Sequence, residues 1–195
     1  MNTIEHEFES RSMLPEEKYF EIASDFYRRD TYINTITQRN QYFDNDDLFL
    51  TKNEMVLRIR INNKGAILTL KVGEADGSSK EYSQKISYFQ HRAIIEKSHF
   101  PKGQVKLMLM ERGVSLLSLK FICEMKTKRI QIDEKDYNYC VDQNEYKGIK
   151  DYNIEVEAKS MKEADKIMKD LANKYQFEIS KDYITKAKRA ILYKG

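Results

Sequence analysis

Along much of this chain, apolar and charged residues take alternate positions, most clearly in Leu57-Arg58-Ile59-Arg60-Ile61 and in Ile154-Glu155-Val156-Glu157-Ala158. Successive side chains of an extended strand point to opposite faces, so a period of two builds a ribbon with one apolar face and one charged face. A helix would scatter the same residues around its circumference. The pattern therefore calls for a sheet. Strand-like text covers Thr3 to Arg11, Thr31 to Phe43, Met55 to Ile61, Ala66 to Val72, Lys80 to Ile86, Leu117 to Ile132, Asn138 to Val141 and Tyr152 to Ala158. The breaks at Asn62 to Gly65 and Gly73 to Ser79 read as hairpin turns, and connections this short make neighbouring strands antiparallel.

Helical spacing fills the rest. Pro15 with Glu16 and Glu17 opens a helix whose stripe is Tyr19, Ile22, Ala23, Phe26 and Tyr27. Ser87 to Lys97 and Lys102 to Arg112 read as two short helices, the second closed by Gly113. Ser160 with Glu163 forms a capping box before Ala164, Ile167, Met168, Leu171, Ala172 and Tyr175, and a last helix is expected over roughly Lys181 to Tyr193 with Tyr183, Ala187 and Ile191 on one side. No stretch rich in Pro, Gly or Ser marks a linker, so residues 1–195 are expected to form a single domain.

Several function classes lack their signatures. No apolar run approaches the roughly 18 residues of a membrane span, and the first ten residues are acidic without an apolar signal region, which gives the expectation of a soluble, cytoplasmic protein with no membrane partner. Cys123 and Cys140 lack CxxC spacing and are expected to be buried free thiols. His6, His91 and His99 lack metal-ligand spacing, and the glycine-rich phosphate loops are missing, so any phosphate must be held by side chains.

The two signs of charge are segregated by strand. Glu5 with Glu7, and Glu155 with Glu157, are acidic pairs two residues apart near the two ends of the chain, whereas Arg58, Arg60, Lys71, Lys85 and Arg129 fall in its middle. One such pair is an ordinary wet face; recurrence with the sign segregated departs from a surface on which both signs intermingle. If the sheet curls with its charged faces inward and its apolar faces under the helices, the result is a barrel with a polar lumen. Clustered carboxylates would take a hard divalent ion, Mg²⁺ or Mn²⁺, and guanidinium and ammonium groups would take phosphate oxygens. Such a lumen suits a polyphosphate. The residues alone lead as far as a polyanion-binding barrel.

The same residues resemble the CYTH superfamily, the triphosphate tunnel metalloenzymes that include thiamine triphosphatase, inorganic triphosphatases and class IV adenylyl cyclases, with the bacterial Bacillus-type members nearest. Glu5-His6-Glu7-Phe8-Glu9 is similar to the family's E-x-E-x-K, Tyr42-Phe43-Asp44 to its Y-[YF]-D, Leu57-Arg58-Ile59-Arg60 to its L-R-x-R, and Thr69-Leu70-Lys71 to its T-x-K. Glu81 fits a family acid, Thr127-Lys128-Arg129 resembles T-x-R, Asp151 to Glu157 resembles D-x-x-x-E-x-E, and Lys186 to Arg189 resembles K-x-x-R. The matches follow the family's order across almost the whole chain. Two positions depart from it: Glu9 stands where the hallmark has lysine, with Arg11 further along the same face, and Asn153 stands where many relatives carry an acid.

The resemblance implies an α+β fold, an eight-stranded antiparallel β-barrel open as a triphosphate tunnel, with amphipathic helices outside. It implies Glu5, Glu7, Glu81, Glu155 and Glu157 as ligands for Mg²⁺ or Mn²⁺, and Arg58, Arg60, Lys71, Lys85, Arg129, Lys186 and Arg189 as phosphate binders. Lys71 and Tyr42 are the candidates for work at the reacting phosphorus. The activity implied is metal-dependent hydrolysis of the terminal phosphoanhydride of inorganic triphosphate or a small organic triphosphate, by charge stabilisation without a covalent nucleophile. A non-catalytic polyphosphate or nucleotide sensor is the rival, and a class IV adenylyl cyclase the third reading. The partner expected is a small-molecule triphosphate or polyphosphate and not nucleic acid, with a homodimer as the assembly left open.

Overall fold

The structure is a computed structural model and describes residues 2–28 and 33–193. The elements are β1 (Asn2–Leu14), α1 (Glu16–Arg28), β2 (Ile33–Asp44), α2 (Phe49–Lys52), β3 (Met55–Asn62), β4 (Gly65–Gly73), β5 (Ser79–Ile86), α3 (Tyr88–Lys97), α4 (Gln104–Glu111), a single 3₁₀ turn (Leu116–Ser118), β6 (Lys120–Asp133), β7 (Asn138–Tyr146), β8 (Ile149–Ala158), α5 (Met161–Tyr175) and α6 (Lys186–Leu192). The eight strands form a closed antiparallel barrel in the order β1-β5-β4-β3-β2-β6-β7-β8. The expected fold class is therefore the observed one. By density of contacts the chain divides into two compact units, Met1–His6 with Arg39–Met125 and Lys186–Gly195, and Glu7–Gln38 with Lys126–Thr185.

In the first unit the alternation of β3 resolves as expected. Leu57 and Ile59 are fully buried and join Leu68 and Leu70 of β4, Ile94 of α3, and Val105 and Leu109 of α4 in one core. Burying each such side chain contributes about 1.5–3 kcal/mol, which fixes the face and thereby sends Arg58 and Arg60 to the other one. The register Arg58↔Thr69 and Leu57↔Leu70 carries the same division into β4, and Thr69↔Ser83 carries it into β5.

In the second unit Tyr19, Ile22, Ala23 and Phe26 of α1 pack with Val141 of β7, Ile154 and Val156 of β8, and Ala164, Met168, Leu171 and Ala172 of α5. Tyr27, expected on the α1 stripe, is instead 60% exposed at the end of the helix. Ser160 caps α5 by accepting from the Glu163 amide, as its spacing suggests. The hairpin between β7 and β8 turns at Lys147 and Gly148, both with positive φ (45° and 78°), which suits the twist of a two-residue hairpin and is costly for a residue with a Cβ.

Several boundaries move from their expected places. β7 runs on to Tyr146 and β8 begins at Ile149, because the Lys147-Gly148 turn lets pairing continue from Asn138↔Glu157 to Tyr146↔Ile149. The last helix starts at Lys186. Before it, the chain is held against β1: the Met13 amide donates to Ser180 Oγ at 3.0 Å and the Ser180 amide to Ser12 Oγ at 2.9 Å. These bonds compete with helix formation by the same backbone. The 3₁₀ turn delays β6 from Leu117 to Lys120. Both cysteines are buried free thiols, and among the described residues no helix is long and apolar enough to cross a membrane.

Candidate functional site

On the first unit's polar face, Tyr42 pairs across strands with Arg58, Arg58 with Thr69, and Asn40 with Arg60, while Lys71 pairs with Glu81 and Ile67 with Lys85. Each is placed there by the apolar neighbour that goes into the core. Arg58 Nη2 donates to Glu81 Oε2 at 2.9 Å, and Arg60 Nε to Asn40 Oδ1 at 3.2 Å. Ser83 Oγ donates to Glu81 Oε1 at 3.0 Å and lies 2.7 Å from Thr69 Oγ1. Among the described residues, Arg58 Nε is buried without a hydrogen-bond partner, an unmet donor on a charged group.

Burial raises the Glu81 carboxyl, but Arg58, Arg60 and Lys71, with the Ser83 hydrogen bond, outweigh it and hold the group below the usual carboxylate range. Tyr42 is 2% exposed. Burial pushes its hydroxyl up to about 12, against the opposing pull of Arg58, Arg60 and Arg189. At neutral pH it is a hydroxyl that donates, and it is no base. Arg189 thus lies within electrostatic reach of Tyr42. It sits on α6, which docks through the buried Ala187 and Ala190, with Lys186 and Arg189 half-buried and Lys188 Nζ 2.5 Å from Glu54 Oε1. Lys85 shares the face but is exposed, as is Glu5 on β1.

The second unit concentrates acids around a different cation. Arg129 Nε and Nη2 donate to Asp142 Oδ1 and Oδ2 at 2.8 and 2.7 Å, and Nη2 donates to Glu155 Oε2 at 2.5 Å. Burial would lower the Arg129 guanidinium, yet Asp142, Cys140 and Glu155 outweigh it and hold it well above its ordinary value. On β1, Arg11 pairs with Glu9 and lies 3.7 Å from Glu155 Oε1. The register sets Glu9 opposite Glu157 and Arg11 opposite Glu155. Glu157 accepts from Asn138 Nδ2 at 3.2 Å and lines a hollow of about 270 Å³ with Asp133, Glu134 and Asp136. Glu7 is half-buried.

Two donor sets invite comparison as metal sites. Ligand atoms of Cys140, Asp142 and Glu155 lie within 4.8 Å of one another. Both oxygens of Asp142 are already taken by the Arg129 guanidinium, however, and a thiol suits a softer ion. Glu7, Glu9, Glu155 and Glu157, from β1 and β8, offer oxygen alone and fit Mg²⁺ or Mn²⁺ by the chemistry of their donors.

Glu9, Arg11 and Asp142 were not among the residues expected from sequence to form the site. β1 continues to Leu14, and Arg11 pairs with Glu9, so that Glu7-x-Glu9-x-Arg11 places two acids and a base two residues apart on one face of the strand. The basic residue at Arg11 was the signal. Asp142 lay beyond the expected end of its strand, in Val141-Asp142-Gln143-Asn144-Glu145, which has little of the β-branched and aromatic content that marks a strand.

Comparison with known proteins matches residues 5–189 to the CYTH domain model. The chain is 30% identical over 154 residues to YjbK of Bacillus subtilis, whose name proposes a triphosphatase, covering 79% of this chain and 78% of that one. It superposes with a TM-score of 0.87 on a Bacillus halodurans protein proposed to be an adenylate cyclase, at 28% identity and covering 95% of this chain and 97% of that one. HpAC1 of Hippeastrum, an adenylyl cyclase candidate described as having a dominant triphosphatase activity, superposes at 0.74 with 17% identity, covering 95% and 93%, a likeness of fold.

Proposed function

The chain belongs to the CYTH domain family, and from that premise we propose that it hydrolyses the terminal phosphoanhydride of inorganic triphosphate or a small organic triphosphate, with Mg²⁺ or Mn²⁺ as cofactor. The observation that carries this reading is the polar face of the first unit, where Arg58, Arg60 and Lys71 surround a single acid, and Arg58 keeps a buried donor unmet. Those cations are matched to phosphate oxygens, the arginines by two-point geometry. Arg60, steadied by Asn40, and Arg58 neutralise and orient the phosphate chain. Lys71 meets charge developing on the oxygen between the departing and remaining phosphates, and the Tyr42 hydroxyl, protonated at neutral pH, donates a hydrogen bond to it. Arg189 of α6 adds positive charge beside the same unit's Tyr42, and Lys186 begins the same helix.

Glu7, Glu9, Glu155 and Glu157 would hold the divalent ion, which when bound would lower the pKa of a water. Arg129 has its hydrogen-bonding edge committed to Asp142 and Glu155, so its assigned work is to hold those acids together, and phosphate binding falls to the first unit. A substrate screen tests the reading: purified protein with Mg²⁺ or Mn²⁺ is expected to release phosphate from tripolyphosphate faster than from ATP. Formation of cyclic AMP from ATP as the dominant reaction, or binding of tripolyphosphate with no turnover, would replace it with the cyclase or the sensor.

A further inference from the structure

Arg58, a proposed phosphate binder, is already hydrogen-bonded to a carboxylate of its own chain. Glu81 takes Arg58 Nη2 on Oε2 at 2.9 Å, and its other oxygen is braced by Ser83 Oγ at 3.0 Å, which is itself 2.7 Å from Thr69 Oγ1. Thr69 and Ser83 are cross-strand partners, and Thr69 is 2% exposed, so the brace is built into the sheet. Glu81 is 9% exposed.

We propose that Glu81 is a resident anion: a substrate phosphate must displace it from Arg58, and its return to Arg58 helps expel the product. This rests on the phosphate-binding reading of the first unit. The guanidinium has two ways to be satisfied, and the internal one is held ready by the hydroxyls of Thr69 and Ser83. The buried Arg58 Nε, without a partner, gives the incoming oxyanion its first hold, beside the Nη2 it must win from Glu81. A charge-assisted hydrogen bond in a buried setting is about twice as strong as a neutral one, so the exchange is costly enough to matter and cheap enough to reverse. Every phosphate ligand that uses Arg58 bears the same penalty. For the substrate, Arg60 and Lys71 offset it with further contacts; for a short product phosphate with fewer contacts, it shortens the stay.

Calorimetric titration with EDTA present, using tripolyphosphate and pyrophosphate as probes, separates this role from metal binding. Glu81→Gln keeps the shape and a weak acceptor but removes the charge, and is expected to bind both anions about tenfold more tightly than wild type. Ser83→Ala keeps the carboxylate and loosens it, and is expected to tighten both about two- to threefold. If Glu81→Gln does not fold, judged by its melting curve, the Ser83→Ala titration decides. Wild-type binding with no tightening in the variants, or with weakening, overturns the proposal and leaves the phosphate reading standing. Failure of wild type and variants alike to bind either anion overturns the phosphate reading, and this inference with it.

Discussion

Replacing Arg129 by methionine removes a buried cation and keeps most of its volume. Asp142 is 0% exposed and takes two of the guanidinium's hydrogen bonds, and Glu155, whose side chain is 13% exposed, takes a third. Removing one partner of a buried ion pair leaves a buried counter-charge uncompensated, and costs about 3–5 kcal/mol. Arg11, 3.7 Å from Glu155, partly shields that acid. For a chain of this length, each kcal/mol shifts the melting temperature by about 2–4 °C, so Arg129→Met is expected to melt roughly 6–20 °C below wild type. Adding Asp142→Asn removes the stranded charge and is expected to recover at least half of the loss. Urea denaturation of wild type, both single variants and the double variant closes the cycle. A cost below about 1 kcal/mol for Arg129→Met, or no recovery in the double variant, would refute the assignment of Arg129 as an internal counter-ion.

Two further outcomes follow from the first unit. Tyr42→Phe removes a donor whose hydroxyl is pushed up to about 12. It is expected to lower turnover of tripolyphosphate about tenfold without moving the pH profile between about pH 6 and 9, where a shifted alkaline limb would contradict the donor role. Glu81 has its folded pKa depressed, so the Arg58–Glu81 pair stabilises fully above the unfolded carboxyl value of 4.5 and loses that contribution as pH falls through the folded pKa. The stability gap between wild type and Arg58→Met, about 1–3 kcal/mol at pH 7, is therefore expected to narrow on acidification below about pH 4.5 in urea titrations, and a gap constant from pH 7 to pH 3 would contradict the pairing.

The alternation in Leu57 to Ile61 and Ile154 to Ala158 made the sheet and its two faces legible, because burial of one face leaves the register no freedom. The helices at Glu16 and Met161 were legible from their stripes and first-turn acids. The bounds that moved were decided by partners distant in sequence. Ser12 and Met13 hold Ser180, just ahead of the segment where the last helix was expected to begin, and β8 keeps Asp142 and Asn144 in a strand that their own propensities do not favour. The site was legible as a set of charges but not as a set of pairs. Sequence shows that Arg58 and Arg129 are cations on strands; only the fold shows that Arg58 keeps a buried nitrogen unmet while Arg129 is tied to two carboxylates. Sequence likewise shows Glu5, Glu7, Glu9 and Arg11 on one face of a strand; only the fold shows Arg11 with Glu9 and Glu155, and Glu5 exposed.

The central claim is that the cationic face of the first unit holds a triphosphate for hydrolysis. Its most direct test is the rate of phosphate release from tripolyphosphate with saturating Mn²⁺, by wild type and by Arg58→Met/Arg60→Met, with melting curves confirming that both are folded. The account predicts turnover by wild type and a fall in kcat/KM of at least about a hundredfold in the double variant, two charge-assisted contacts being lost. Equal turnover by the two proteins would contradict it.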